Sequence, residues 1–344
     1  MARAGAVGAL ACALVIACSA YAARACDVCA IYTATEMRES RTGVWLGLAE
    51  QFSRYTTLKD DGKEIPNPGE RLNSSITQLL LGYDVSSRFG LQLTLPIIVR
   101  DFRRIEDGRL RDGDESGIGD MSLLGVVRPY SLVTEHNVLR FVLLGGLKFP
   151  TGDSDRLREE LDEDHATEGV AAGHAGHDHE SAPSAEDGGG ALAGHASGVH
   201  GHDLALGSGS YDGIIGGAAF ASWQRFYLET TLQYAMRTRG TIDYRYANDL
   251  TWSAALGAFP VLTHAYTVAV AGVATGEHKG KDTLGSETEN DTGITAVYMG
   301  PGVVVTWGTS LAADLETDFP ILQDNTSIQL VPDYRVRAGV SWRF

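Results

Sequence analysis

The stretch YRVRAGVSWRF, residues 334–344, decides how the rest of the chain reads. Tyr334, Val336, Ala338, Val340, Trp342 and Phe344 take one set of alternate positions, and Arg335, Arg337, Gly339, Ser341 and Arg343 take the other. A repeat of two places one set on each face of a β-strand. A soluble sandwich turns its apolar face to a core. A transmembrane barrel turns it to lipid, keeps the polar face for the lumen and sets aromatic residues at the membrane interfaces. Trp342 and Phe344 at the tip of the strand favour the barrel.

The same alternation recurs upstream, starting at Gly43. Strands are expected at about 43–55, 75–85, 89–102, 117–130, 138–148, 211–223, 226–237, 250–262, 266–275, 294–307 and 311–319, before the closing one. Polar stretches near 56–72, 103–116 and 279–293 read as long loops, whereas Ser86-Ser87-Arg88 and Thr134 to Asn137 read as tight turns. Each segment is close to the ~9–11 residues that a tilted strand needs to cross a bilayer. The connections are expected to alternate long and short, ending long. The fold expected is therefore all-β: a transmembrane, antiparallel, up-and-down barrel of twelve strands, of the outer-membrane type, over residues 43–344.

Composition agrees. The 344 residues are 44% hydrophobic and 21% charged, which excludes wholesale disorder. A formal net charge of −16 excludes nucleic acid as a partner, since no basic face can neutralise phosphates. Beyond the start, no apolar run nears the ~18 residues of a membrane helix, so strands must do any spanning. Residues 1–25 read as a cleaved export signal, with Arg3, an apolar stretch from Gly5 to Cys18 and a small-x-small site at Ala23-Arg24-Ala25. Cuts after Ala22 or, as in a lipoprotein, before Cys18 are the alternatives. Residues 26–42 then form a periplasmic segment holding Cys26 and Cys29, read as a disulfide, a redox pair or half of a soft-metal site.

Four local motifs carry a family resemblance: Gly117-Ile118-Gly119-Asp120, Lys148-Phe149-Pro150-Thr151-Gly152-Asp153, Leu206-Gly207-Ser208-Gly209-Ser210-Tyr211-Asp212 and Leu330-Val331-Pro332-Asp333-Tyr334. Together they resemble the outer-membrane transporter family named for the meta-pathway of phenol degradation. That resemblance implies a small barrel, an outer-membrane location and a channel role related to hydrophobic-substrate channels. The terminal Phe344 resembles the C-terminal signal of outer-membrane proteins, which implies the barrel-assembly machinery and outer-membrane lipid as partners.

Chemistry concentrates in an insertion at residues 153–209, rich in Gly, Ala, Ser, Asp and Glu and read as an extracellular loop. It holds His165, His174, His177, His179, His195, His200 and His202, seven of the ten histidines. Neutral imidazoles suit zinc, copper and nickel, so loose binding of such an ion is expected, with a solvated low-complexity loop as the alternative. Asp112-x-Asp114-x-Ser116-Gly117 resembles the start of a calcium loop, but Leu123 stands where the bidentate Glu is needed, so an acidic surface loop is expected. Asp314, Glu316 and Asp318 should face the lumen beside Arg335, Arg337 and Arg343 as pore-lining or wall-stabilising charges. No phosphate loop or nucleophile elbow is present, and no enzyme activity is expected. The expected function is a channel for small solutes linked to a transition metal. The alternatives are a channel for small hydrophobic or aromatic compounds and a metal-binding surface protein that uses the barrel as an anchor.

Overall fold

The computed structural model describes residues 42–134, 136–161, 196–263 and 265–344. The expected export signal, Cys26, Cys29, His165, His174, His177, His179 and His195 lie outside the described residues. In chain order the strands begin with β1 (Gly43–Asp60), β2 (Lys63–Ile65), β3 (Arg71–Asp84), β4 (Phe89–Glu106), β5 (Arg109–Ile118), β6 (Ser122–Val133) and β7 (Asn137–Lys148). They continue with β8 (Asp212–Trp223), β9 (Phe226–Met236), β10 (Tyr244–Arg245), β11 (Asp249–Leu262) and β12 (Tyr266–Lys279). The last are β13 (Thr283–Leu284), β14 (Glu287–Thr288), β15 (Ile294–Trp307), β16 (Leu311–Asn325) and β17 (Ile328–Arg343).

Twelve of these form one continuous antiparallel sheet, and β17 returns to pair with β1. The seam runs from Trp45↔Arg343 to Asp60↔Ile328, so the sheet closes as a barrel with no free edge. Closure is what a membrane demands, because an unpaired backbone edge in hydrocarbon costs several kcal/mol per group, on the order of a lost hydrogen bond in an apolar medium.

Side-chain alternation follows the expected sense. Leu48, Leu81, Leu143, Ile215 and Leu256 lie exposed on the outer face, Leu256 at 69%. Such a band of bare aliphatic surface is unfavourable in water and favourable in lipid. The inner face departs from a uniformly polar lining. Trp45, Leu80, Leu124, Leu144, Phe220 and Tyr227 point inward and are buried, because inward side chains here pack against one another instead of bordering open water. Gly82 makes room for this: a Cβ there would sit 1.7 Å from Trp45 Cε2.

Three of the expected loops are replaced by regular structure. Residues 56–72 and 103–116 are hairpins in which β1 and β4 run on past the apolar band, with β2 and β5 folding back on them. There the outward face turns polar while inward Leu58, Phe102 and Ile105 stay buried, so the period-two signal of a lipid-facing strand is lost while the backbone pairing continues. Asp112 takes Arg103 at 2.8 Å and Arg71 at 3.1 Å, which makes it a cross-strand ion pair on β5, not part of an acidic loop. The final connection, expected to be long, is a turn at Thr326 and Ser327 between two extended strands. The remaining long connections gather at the same end as these hairpins. The opposite end carries tight turns and is cross-linked by Asp84, which accepts from Arg128 and Arg343, each at 2.7 Å.

Leu256→Arg should therefore destabilise the barrel by roughly 2–4 kcal/mol in lipid, measured by equilibrium unfolding from vesicles. A loss below about 1 kcal/mol would place Leu256 outside the hydrocarbon band.

Candidate functional site in the barrel mouth

The insertion leaves β7 and returns to β8 through a buried charged clamp. Lys148, the last residue of β7, donates to Asp120 Oδ2 at 2.6 Å and pairs with Asp212 Oδ2 at 2.8 Å. Ser208 donates to Asp120 from its backbone N–H at 2.9 Å and from its hydroxyl at 2.8 Å. Asp212 also accepts from Ser210 at 2.8 Å and from Arg237 at 2.9 Å, and Arg237 continues to Asp249 at 2.6 Å. Three of the four motifs quoted above thus converge on one cluster. Burying so many charges is favourable only when every member is paired, and the described partners meet that condition. Gly209 turns the chain at φ +67°, where a side chain would be strained and would strike Thr241.

On the far side of the clamp, residues 196–211 run through the barrel mouth. Buried Glu70 holds one end, accepting from Ser197 Oγ at 2.6 Å, Gly198 N–H at 3.0 Å and Ile105 N–H at 3.0 Å. Gly198 O accepts from Leu330 N–H on β17 at 2.9 Å. Val199 and Leu204 pack with Tyr55, Leu72, Phe102 and Leu330, and Leu206 reaches Ile76 and Ile98. The segment thus covers the inward apolar residues of the mouth, a set separate from the self-packed residues described above. Burying three aliphatic side chains contributes roughly 1.5–3 kcal/mol each before entropy is counted.

A short helix, α1 (Gly201–Leu204), carries His202 and has His200 as its N-cap, the two described histidines of the insertion. His200 and His202 stack at 5.4 Å with Asp203 beside them, and their ligand atoms lie within 4.8 Å of one another. His202 Nδ1 sits 3.2 Å from Glu160 Oε1, and His200 Nε2 sits 3.2 Å from Asp291 Oδ2. His200 Nδ1 is buried with no hydrogen-bond partner. Burial opposes charge on both rings, but Asp203 with Asp291 outweighs it for His200, and Asp203 with Glu160 outweighs it for His202. Their pKa values rise to about 9 and about 10. Burial likewise opposes charge on Asp203, yet the two rings hold it well below the ordinary carboxylate range. Two imidazoles and a carboxylate are a donor set that zinc, copper or nickel accepts.

Beneath the segment lies a chamber of about 110 Å³ lined by Tyr55, Leu72, Ser74, Arg100, Leu206 and Leu330, among others. Wall charges pair around it. Arg335 grips Glu277 at 2.6 and 2.8 Å and lies over the Tyr298 ring at 4.2 Å. Arg337 takes Glu316 at 2.6 Å and also Asp318. Asp314 lies opposite Gly339 instead of an arginine, and Arg343 meets Asp84 at the far end. Of the six wall charges singled out in the sequence, only Arg335 borders the chamber, and of the candidate metal-binding histidines among the described residues His202 does. Sequence reasoning finds no signal for Glu70 and Arg100, and it marks Asp120, Lys148 and Asp212 as members of family motifs without assigning them to a site. A lone charge at the end of an apolar strand, as at Lys148 and Asp212, is the signal that would find them.

Two outcomes follow. Glu70→Gln removes the charge from three hydrogen bonds worth roughly 1.5–3 kcal/mol each, so limited proteolysis should cut within 196–204 while the barrel keeps its heat-modifiable gel mobility. Unchanged protection would contradict the docking role. In metal-free protein the raised histidine pKa values stabilise docking fully below the ordinary value near 6.5, and that contribution fades as pH rises through about 9 to 10. Cleavage within 196–204 should accordingly increase from pH 8 to pH 10.5, and a flat profile would show that the rings do not carry charge there.

No family model matches the chain, and no curated protein matches it in sequence. Among solved structures, an outer-membrane channel from Pseudomonas putida F1 superposes with a TM-score of 0.58 at 13% identity, covering 91% of this chain and all of that one. The β domain of the Bordetella autotransporter BrkA scores 0.41 at 11% identity, covering 88% and 100%. The translocator domain of NalP from Neisseria meningitidis scores 0.41 at 12%, covering 90% and 92%. The first of these places the chain in the fold class of twelve-stranded outer-membrane barrels.

Proposed function

We propose that this protein is an outer-membrane channel for small solutes, and that residues 196–211 narrow its outer mouth. The observation that carries this reading is the chamber of about 110 Å³, which lies between that segment and the wall of a barrel whose outer face is apolar. A purely structural barrel has no need to hold a buried, ion-lined space under an inserted segment. Orientation follows from the long connections, which in bacterial barrels face outward while both termini lie in the periplasm.

The histidine-rich insertion binds a borderline divalent metal in this proposal, anchored at its described end by His200, His202 and Asp203. Support comes from the meeting of these groups at the mouth and from His200 Nδ1, buried without a hydrogen bond and 3.8 Å from Asp203 Oδ2. A second reading, passage of small hydrophobic or aromatic compounds, draws on the inward cluster of Phe220, Tyr227 and Phe259 and on the motif resemblance to the phenol meta-pathway family. In the third, the barrel merely anchors a metal-binding surface.

Liposome swelling with the full-length protein separates these. Entry of small sugars and amino acids faster than into empty vesicles supports the channel, and no entry leaves the anchor. Zinc titration by calorimetry should lose roughly tenfold or more in affinity in the His200→Ser/His202→Ser variant. Equal affinity would remove these two residues from the metal site.

A further inference from the structure

Arg100 and Ser74 form a pair whose hydrogen-bonding capacity the described residues leave unused. They are direct cross-strand partners on β4 and β3, and both line the chamber. Arg100 is 5% exposed and Ser74 2%. Arg100 donates from Nη1 to Ala205 O at 3.0 Å, and its Nε has no partner; the Ser74 hydroxyl has none either. Among the described residues Arg100 makes no ion pair. Glu115, opposite it on β5, is committed to Arg156 at 2.6 Å.

The other cations that border the chamber are engaged. Lys148 holds Asp120 and Asp212, Arg237 holds Asp212 and Asp249, Lys279 holds Asp282, and Arg335 holds Glu277. A guanidinium cannot shed its proton, and burying it without a counter-charge is strongly unfavourable. The unused donors of Arg100 and Ser74 lie at one level of the wall, beside Ser53 of β1. Their neighbours in the chamber, Tyr55, Leu72, Leu206 and Leu330, are largely apolar. The void far exceeds the ~10–15 Å³ that one water requires.

We propose that the chamber binds a small organic carboxylate, its two oxygens taken by the Arg100 guanidinium and the Ser74 hydroxyl and its carbon skeleton set against the apolar residues. A planar carboxylate matches the fork of an arginine in both geometry and charge. Inorganic anions lack the apolar part and bind more weakly. Small carboxylates are thereby the solute class of the proposed channel, and their transport rests on that reading, but the binding site stands on its own residues.

The test is calorimetry on full-length protein in detergent, titrated with sodium benzoate, sodium butyrate and sodium phosphate. Benzoate and butyrate should bind more tightly than phosphate. Arg100→Gln should weaken the carboxylates about tenfold or more, the loss of a charge-assisted contact, and Ser74→Ala by a few-fold. Arg100→Lys, which keeps the charge but not the fork, should fall between wild type and Arg100→Gln. Heat-modifiable gel mobility verifies that each variant is folded. Failure of carboxylates to bind wild type, equal affinity in a folded Arg100→Gln barrel, or tighter binding of phosphate overturns the site. If vesicles swell but no carboxylate binds, the channel stands and the carboxylate site falls; binding without swelling keeps the site and removes the channel.

Discussion

The structure depends on the backbone pairing between its first and last strands. The seam between β1 and β17 closes the wall, and every exposed leucine on the outer face is tolerable only because no backbone edge accompanies it into lipid. The same seam extends beyond the apolar band to Asp60 and Ile328, where Asp61 and Ser327 tie the hairpin tips together. That extension raises a rim around the mouth, and the inserted segment has walls to dock against because of it. Leu330 belongs to the seam and to the docking contact at once.

Within the barrel, buried carboxylates determine where the insertion goes. Asp120 and Asp212 fix its two stems through Lys148, and Glu70 captures its far end across the mouth. Each carboxylate is satisfied by groups distant in sequence, so the insertion's path is specified by charge pairing as well as by the apolar contacts of Val199, Leu204 and Leu206. Paired buried ions add little net stability over an apolar core, but an unpaired one is costly, which makes them better at selecting one arrangement than at stabilising it. The chamber is the space left when the segment is held there.

The barrel is legible in the sequence because lipid imposes a period of two on every crossing strand. Tyr334 to Phe344 and Phe226 to Arg237 display it plainly, and the charges Glu316, Arg335 and Arg337 fall on the inner face that it assigns them. Legibility ends where lipid ends. Beyond the apolar band β1, β4 and β5 keep their pairing while the outward face turns from lipid to water and becomes polar, so Arg103 to Ser116 reads as a loop although it is a hairpin. The course of the insertion is equally hidden, since a Gly- and His-rich tract has no periodicity and its anchors, Glu70 and Asp120, lie up to 128 residues away. Residue type alone marks His200 and His202 as candidate ligands. Their junction with Glu160 and Asp291 is a property of the fold alone.

Conductance tests most directly whether a channel runs through the barrel with the inserted segment narrowing it. Asp153 O and Gly207 N–H lie 2.7 Å apart, so residues 155–206 can be excised and the ends joined by a short Gly-Ser link without moving β7 or β8. Single-channel recording in planar bilayers compares that variant with the intact chain. A small conductance is expected for the intact protein and a several-fold larger one for the variant, because the lumen beneath the segment becomes continuous with the outside. Equal conductance, or none from either, would contradict the channel and its narrowing.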